Sequence, residues 1–165
     1  MNRGANILAE VLSVGMTGDS HDLTAPHPEG LWAYESMKMA LELGGVKPEE
    51  LNYINAHGTS TPLGDVAESK AIYKLVGDNQ DNLNVGSTKS YTGHLLGAAA
   101  AVEAVYITKA VMENKVPANL NIENFDENIP LKCINTEVVE REINVALSNS
   151  FGFGGHNSSL LIKKI

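Results

Sequence analysis

The stretch GHLLGAAAAVEAVYITKAV, from Gly93 to Val111, opens with glycine and alanine on nearly every side of the helix it forms. A helix that is small and apolar all round does not lie on a surface with one polar face; it belongs between layers. The pattern predicts one long helix over 93–114. Glu103 and Lys109 interrupt the run, and a membrane span of about 20 residues does not readily carry both. A buried helix needs sheet to pack on.

The rest of the chain supplies that sheet. ANILAEVLSVGM (5–16) reads as a strand by its β-branched and aliphatic content, and GDSHDLTAPHPEG (18–30) as a loop. A helix is expected over 30–44, ended by Gly44-Gly45, followed by a short buried strand over 51–56 and a helix over 62–75. A strand at 82–87 leads into the loop STKSYTGH and the long helix. NVALSNS and SSLLIKK are two further strands, joined in a hairpin-like return by FGFGGH (151–156), whose glycines permit backbone shapes closed to other residues. The order β-α-β-α-β-α-β-β implies an α/β fold: one domain over 1–165, a mixed sheet with helices on both faces.

Charge and cysteine content narrow the function. Twenty acidic against 12 basic side chains leave a net charge of −8, and no basic run exceeds Lys163-Lys164. Nucleic acid is not the expected partner, because such binding rests on clustered Lys and Arg. The single cysteine, Cys133, rules out an internal disulfide or a multi-cysteine metal site and reads as a small half-buried side chain. The amino terminus lacks the apolar core of a secretory signal, so the cytoplasm is the expected compartment, with no membrane partner.

Three polar signals follow strands: His57 in NAHGTST, Lys89 and His94 in STKSYTGH, and Phe151 to Gly155 in SFGFGG. Each alone has an ordinary structural reading. Strands of one sheet, however, would deliver all three to one edge, where α/β proteins expose chemistry. Two neutral imidazoles then offer paired N–H donors to a developing oxyanion or enolate. Glu103, inside the apolar helix, needs a counter-charge, and Lys89 is the nearest candidate in sequence. His21 and His27 receive no role.

NAHGTSTPLGDVAE, STKSYTGHLLGAA and SNSFGFGG resemble, nearly word for word, the carboxyl-terminal half of the β-ketoacyl-acyl-carrier-protein synthases, most closely the elongating synthase II type. The resemblance covers essentially the whole chain. It implies one half of a thiolase-like fold, with the 93–114 helix in the central layer of the complete five-layer protein. The implied reaction is chain elongation in fatty-acid synthesis, by decarboxylative condensation of malonyl carrier protein with an acyl group held on a cysteine.

The implied roles attach to matching positions. His57 and His94 match the family histidines, Lys89 the family lysine, and Glu103 its partner. Thr59 and Thr61 match residues that hydrogen-bond the phosphopantetheine arm, which the substrate protein carries. Phe153 matches the gate beside the acyl pocket, with Phe151, Gly152 and Gly154 in the same loop. Asn55, Glu103, Ser148 and Asn149 fall where some members hold a monovalent cation; no other cofactor is expected. Acyl carrier protein in acyl and malonyl forms, a missing amino-terminal half and a second copy in a homodimer are the implied partners.

His156 departs from the family, which has a small hydroxyl residue there. The family nucleophile is absent, since Cys133 lies in PLKCIN rather than at the start of the matching helix. The chain alone is therefore expected to perform no condensation. A non-catalytic partner like a chain-length factor and a fragment of a modular polyketide ketosynthase are the alternatives. His57, Lys89 and His94 together favour the enzyme, and an ending at SSLLIKKI without onward linker favours a free-standing one.

Overall fold

The computed structural model describes residues 3–165. Its strands are β1 (Glu10–Gly18), β2 (Tyr53–Asn55), β3 (Asn84–Gly86), β4 (Lys115–Val116), β5 (Val139–Glu140), β6 (Val145–Gly152) and β7 (His156–Lys163). The helices are α1 (Leu31–Gly44), α2 (Pro62–Val76), α3 (Lys89–Thr92) and α4 (Ala99–Glu113). Five strands form the main sheet in the order β1-β7-β6-β2-β3, and β4 pairs with β5 apart from it. The β1–β7 and β7–β6 pairs are antiparallel, whereas β6–β2 and β2–β3 are parallel. The mixed sheet expected from the sequence is present.

Alternation along the strands builds two cores. Ile54, Val145, Leu147 and Leu161 point to one face, where they pack with Met37, Ala40 and Leu41 of α1 and Ala71 and Ile72 of α2. Tyr53, Ala146 and Ile162 point to the other, against Ile107, Ala110 and Val111 of α4. Neighbouring residues of one strand thus serve opposite layers, as the period of two requires.

The strands expected over 51–56 and 82–87 shorten to Tyr53–Asn55 and Asn84–Gly86, and three further differences are larger. The first strand begins at Glu10 rather than Ala5, because Glu10 already pairs with Lys163, the last residue of β7. Among the described residues, those before Glu10 pair with no strand. STKSYTGH is not all loop, since Lys89–Thr92 form one helical turn. The long helix over 93–114 is broken at its start: Gly93 has φ 67° and Leu96 φ 52°, and a 3₁₀ turn over Leu96–Ala98 precedes α4. The break leaves His94 outside any helix. The outer side of α4 is apolar but open, with Val105 61% exposed.

Contact between α1 and β1 depends on one absent side chain. A Cβ on Gly15 would lie 1.9 Å from the Ser36 carbonyl oxygen and 2.7 Å from the Ala40 nitrogen, both backbone atoms of α1. Gly15→Ala is therefore expected to destabilise the chain by about 1–3 kcal/mol through forced separation of helix and sheet. Gly18→Ala, in the same strand with open space around its Cβ, is the control and should change stability by less than about 0.5 kcal/mol. Denaturant midpoints compare them; equal midpoints would contradict the close approach.

Candidate active site

Because β2, β3 and β6 run parallel, their carboxyl ends share one edge of the sheet. His57 follows β2, Lys89 and His94 follow β3, and β6 ends in Phe151 and Gly152, with only Phe153 to Gly155 of the expected loop left as the turn into β7. All meet there. The His57 and His94 rings stand edge to face, 5.5 Å between centroids at 89°, and Phe151 lies 5.6 Å from the His57 ring.

Backbone groups set the proton on each imidazole. Phe151 N–H donates to His57 Nδ1 at 3.3 Å, and Leu96 N–H donates to His94 Nδ1 at 3.2 Å. An accepting Nδ1 leaves the proton of the neutral ring on Nε2. The break before α4 has a purpose in this light, for the left-handed Leu96 brings its N–H back onto His94. Burial, reinforced by the Lys89 ammonium and by His94, pushes the His57 pKa down to about 3. His57 is a neutral donor throughout the physiological range.

Lys89 and Glu103 form a buried ion pair between Nζ and Oε1, with side chains only 5% and 4% exposed. Burial raises the Glu103 carboxyl above its ordinary range, opposed by the hydrogen bond and charge of Lys89. Glu103 Oε2 is buried without a partner. That orphaned oxygen fits a cation. Asn55 and Ser148, joined at 3.1 Å, lie on the same face of the sheet and fit it too. Asn149 does not: β6 turns it to the opposite face, where its amide bonds Glu68 and Ser159. The four expected cation residues are therefore split, three against one, by strand alternation.

Thr59 and Thr61 hold their hydroxyls 3.5 Å apart at the start of α2, and both line a cavity of about 630 Å³ that reaches Lys89 and His94. Phe153 stands at the hairpin tip, 79% exposed, beside Gly154 and Gly155, whose φ values of 80° and 78° make the three-residue turn possible. Gly152 pairs with His156 at the hairpin base. Cys133 lies away from this edge, against the α1 and α2 core, with its thiol pushed up to about 11 by burial. It is not an activated nucleophile. His21 and His27 face each other in their own loop, 5.2 Å apart.

The sequence reading passed over Glu68. Its buried carboxylate accepts from the His57 and Gly58 peptide N–H groups, each at 2.9 Å, and from Asn149 Nδ2 at 3.0 Å. It thereby fixes the peptide that carries His57. Burial raises its pKa against these three donors. A signal was available: Glu68 sits one turn before Ile72, on the apolar face of α2, where an unpaired carboxylate would be costly.

The depressed His57 value carries a stability prediction. Between about pH 6.5 and 3 the unfolded chain binds a proton at this ring that the folded chain refuses, so stability falls as pH drops through that window. The slope from His57 approaches about 1.4 kcal/mol per pH unit. His57→Asn, whose amide oxygen can accept from Phe151 N–H, should flatten the profile of denaturant midpoint against pH. Parallel profiles for the two proteins would refute a neutral, buried His57.

Residues 8–123 match the family model described as beta-ketoacyl synthase, C-terminal domain. The chain is 48% identical over 162 residues to 3-oxoacyl-[acyl-carrier-protein] synthase 2 of Rhizobium meliloti (strain 1021), covering 98% of this chain and 38% of that protein. It is 44% identical to the protein of the same name from Staphylococcus aureus (strain COL), covering 98% and 39%. A beta-ketoacyl synthase crystal structure from Burkholderia phymatum STM815 matches with TM-score 0.92 and 35% identity over 99% of this chain and 39% of that one. A ketosynthase in complex with its chain length factor from Xenorhabdus doucetiae matches with TM-score 0.89 and 36% identity, covering 98% and 40%. This chain thus spans about two-fifths of the length of the curated relatives it matches. It belongs to the β-ketoacyl synthase family, as a carboxyl-terminal domain with the thiolase-like α/β fold of those ketosynthases.

Proposed function

We propose that this domain supplies the decarboxylating half of a 3-oxoacyl-[acyl-carrier-protein] synthase that elongates fatty acids. The observation that carries the reading is the pair of imidazoles, each with Nδ1 held by a backbone N–H, so that both present Nε2–H. When the malonyl group loses carbon dioxide, the breaking C–C bond leaves its electron pair on the α-carbon, and charge delocalises onto the thioester oxygen. His57 and His94 donate to that oxygen. The carbanion then attacks an acyl thioester on a cysteine of the other half, and the thiolate leaves. Lys89, anchored by Glu103, adds to the field that keeps His57 neutral.

Thr59 and Thr61, at the cavity mouth, hold the phosphopantetheine arm of an acyl carrier protein. Phe153 gates the acyl pocket from the hairpin tip. A monovalent cation, where bound, rests on Glu103, Asn55 and Ser148 and balances charge without entering a step. The amino-terminal half covers the open apolar side of α4, including Val105, because a patch of that kind is rarely left to solvent. The complete enzyme is a cytoplasmic homodimer.

The test joins this domain to the amino-terminal part of the Rhizobium meliloti relative and supplies acyl and malonyl carrier proteins. Mass spectrometry should find the ketoacyl product and an acyl adduct on the added half. An acyl adduct on Cys133, or binding without decarboxylation as in a chain-length factor, would overturn the reading.

A further inference from the structure

A file of buried polar side chains runs behind His57 along the face of the sheet that α1 and α2 cover. Glu68 Oε1 accepts from Asn149 Nδ2 at 3.0 Å, Asn149 Oδ1 accepts from Ser159 Oγ at 2.8 Å, and Ser159 Oγ lies 2.9 Å from Ser36 Oγ. None of the four residues is more than 5% exposed. They come from α2, β6, β7 and α1 in turn, so the file links helix α1 to the two peptide N–H groups that Glu68 holds, those of His57 and Gly58.

Proton counting gives the file a direction. Each serine hydroxyl has one proton. If Ser159 gave its proton to Ser36, Asn149 Oδ1 would be buried without a donor. The Ser36 hydroxyl also lies 2.9 Å from the Ala33 carbonyl, but a proton sent only there would set two hydroxyl lone pairs against each other. The arrangement that orphans nothing runs from Ser36 to Ser159 to Asn149 to Glu68, every donor aimed at the carboxylate. The second proton of the Asn149 amide goes to Met37 Sδ at 3.3 Å. Such a chain polarises cooperatively and gives the Asn149 amide a single orientation.

We propose that Ser159, backed by Ser36, is a positioning residue for His57 that acts through Asn149 and Glu68. Its catalytic consequence rests on the reading of His57 as a donor to the enolate; its structural consequence does not. Without the Ser159 hydroxyl, Asn149 Oδ1 is left buried and unpaired. The amide loses the bond that fixes its orientation, and its Nδ2 is held less firmly on Glu68 Oε1. Glu68 then has one of its three donors weakened, and its hold on the His57 and Gly58 peptides loosens.

The primary test follows amide hydrogen exchange by NMR in the 165-residue chain. Ser159→Ala should speed exchange at His57 and Gly58 about tenfold, the loss of roughly one buried hydrogen bond, while Ile107 and Val111 across the sheet stay unchanged. Ser36→Ala keeps the Ser159–Asn149 bond and should give a smaller acceleration at the same two amides; it decides alone should Ser159→Ala not fold. Uniform acceleration on both faces, or none at His57 and Gly58, overturns the proposal. In the completed synthase, Ser159→Ala should lower kcat for decarboxylation with KM unchanged. An unaltered kcat beside an inactive His57→Ala also overturns it. If His57→Ala itself leaves decarboxylation intact, the functional reading fails and the exchange result still decides the positioning role.

Discussion

His57→Ala in the completed synthase should slow malonyl decarboxylation by about 10²–10³, the loss that follows removal of one preorganised donor from an oxyanion site. The effect is large because the donor is prepared before reaction: Phe151 N–H fixes the tautomer, Glu68 fixes the peptide, and burial keeps the ring neutral. His94→Ala should act on the same step to a similar extent. Its ring faces that of His57 edge-on, so both can reach one oxygen. The double variant should then lose less than the product of the two single losses, because one oxygen cannot be stabilised independently by two groups acting as a unit. Acylation of the cysteine develops no charge on the malonyl oxygen and should be spared in all three. Measurement of carbon dioxide release and acyl-adduct formation separates the steps. Equal loss of both in either single variant would refute the assignment.

The succession of strands and helices and the placing of helices on both faces were legible because they depend on hydrophobic period, and period is a property of the sequence alone. The convergence of His57, Lys89 and His94 followed from it once the strands were placed. The start of β1 was not legible, since residues 5–9 carry the same aliphatic content as the true strand and only the length of β7 excludes them. The break before α4 was hidden for a related reason. Leu96 is an ordinary helix former, and nothing in its side chain announces the left-handed backbone that turns its N–H onto His94. Glu68 escaped notice because two of its three partners are backbone groups, which leave no mark in the side-chain sequence. That the Asn149 side chain faces away from those of Asn55 and Ser148 was not legible either, because a motif match carries residue identity and discards strand alternation.

Lys89 and Glu103 will show how far the site depends on a pair that neither residue can leave alone. Glu103→Gln strands the Lys89 ammonium in a region where its side chain is 5% exposed, and stability should fall by about 3–5 kcal/mol. Lys89→Met is gentler, since Glu103 can take up a proton. Burial already raises that carboxyl, and removing the ammonium takes away the main opposition to the rise. The folded state then binds a proton that the unfolded state has released, so the stability of Lys89→Met should decline as pH rises above the ordinary carboxylate range. That slope is opposite in sign to the one from His57. Lys89→Met with Glu103→Gln removes both charges and should recover most of the loss seen in Glu103→Gln alone, because the penalty lies in the unpaired charge rather than in the missing attraction. The recovered protein should keep a neutral His57, because burial, the largest cause of its depressed pKa, does not depend on Lys89. Denaturant midpoints of the two single variants and the double variant settle the stability claim. Simple addition of the two single losses would mean that the charges do not sense each other, and the pair would then be no more than neighbours.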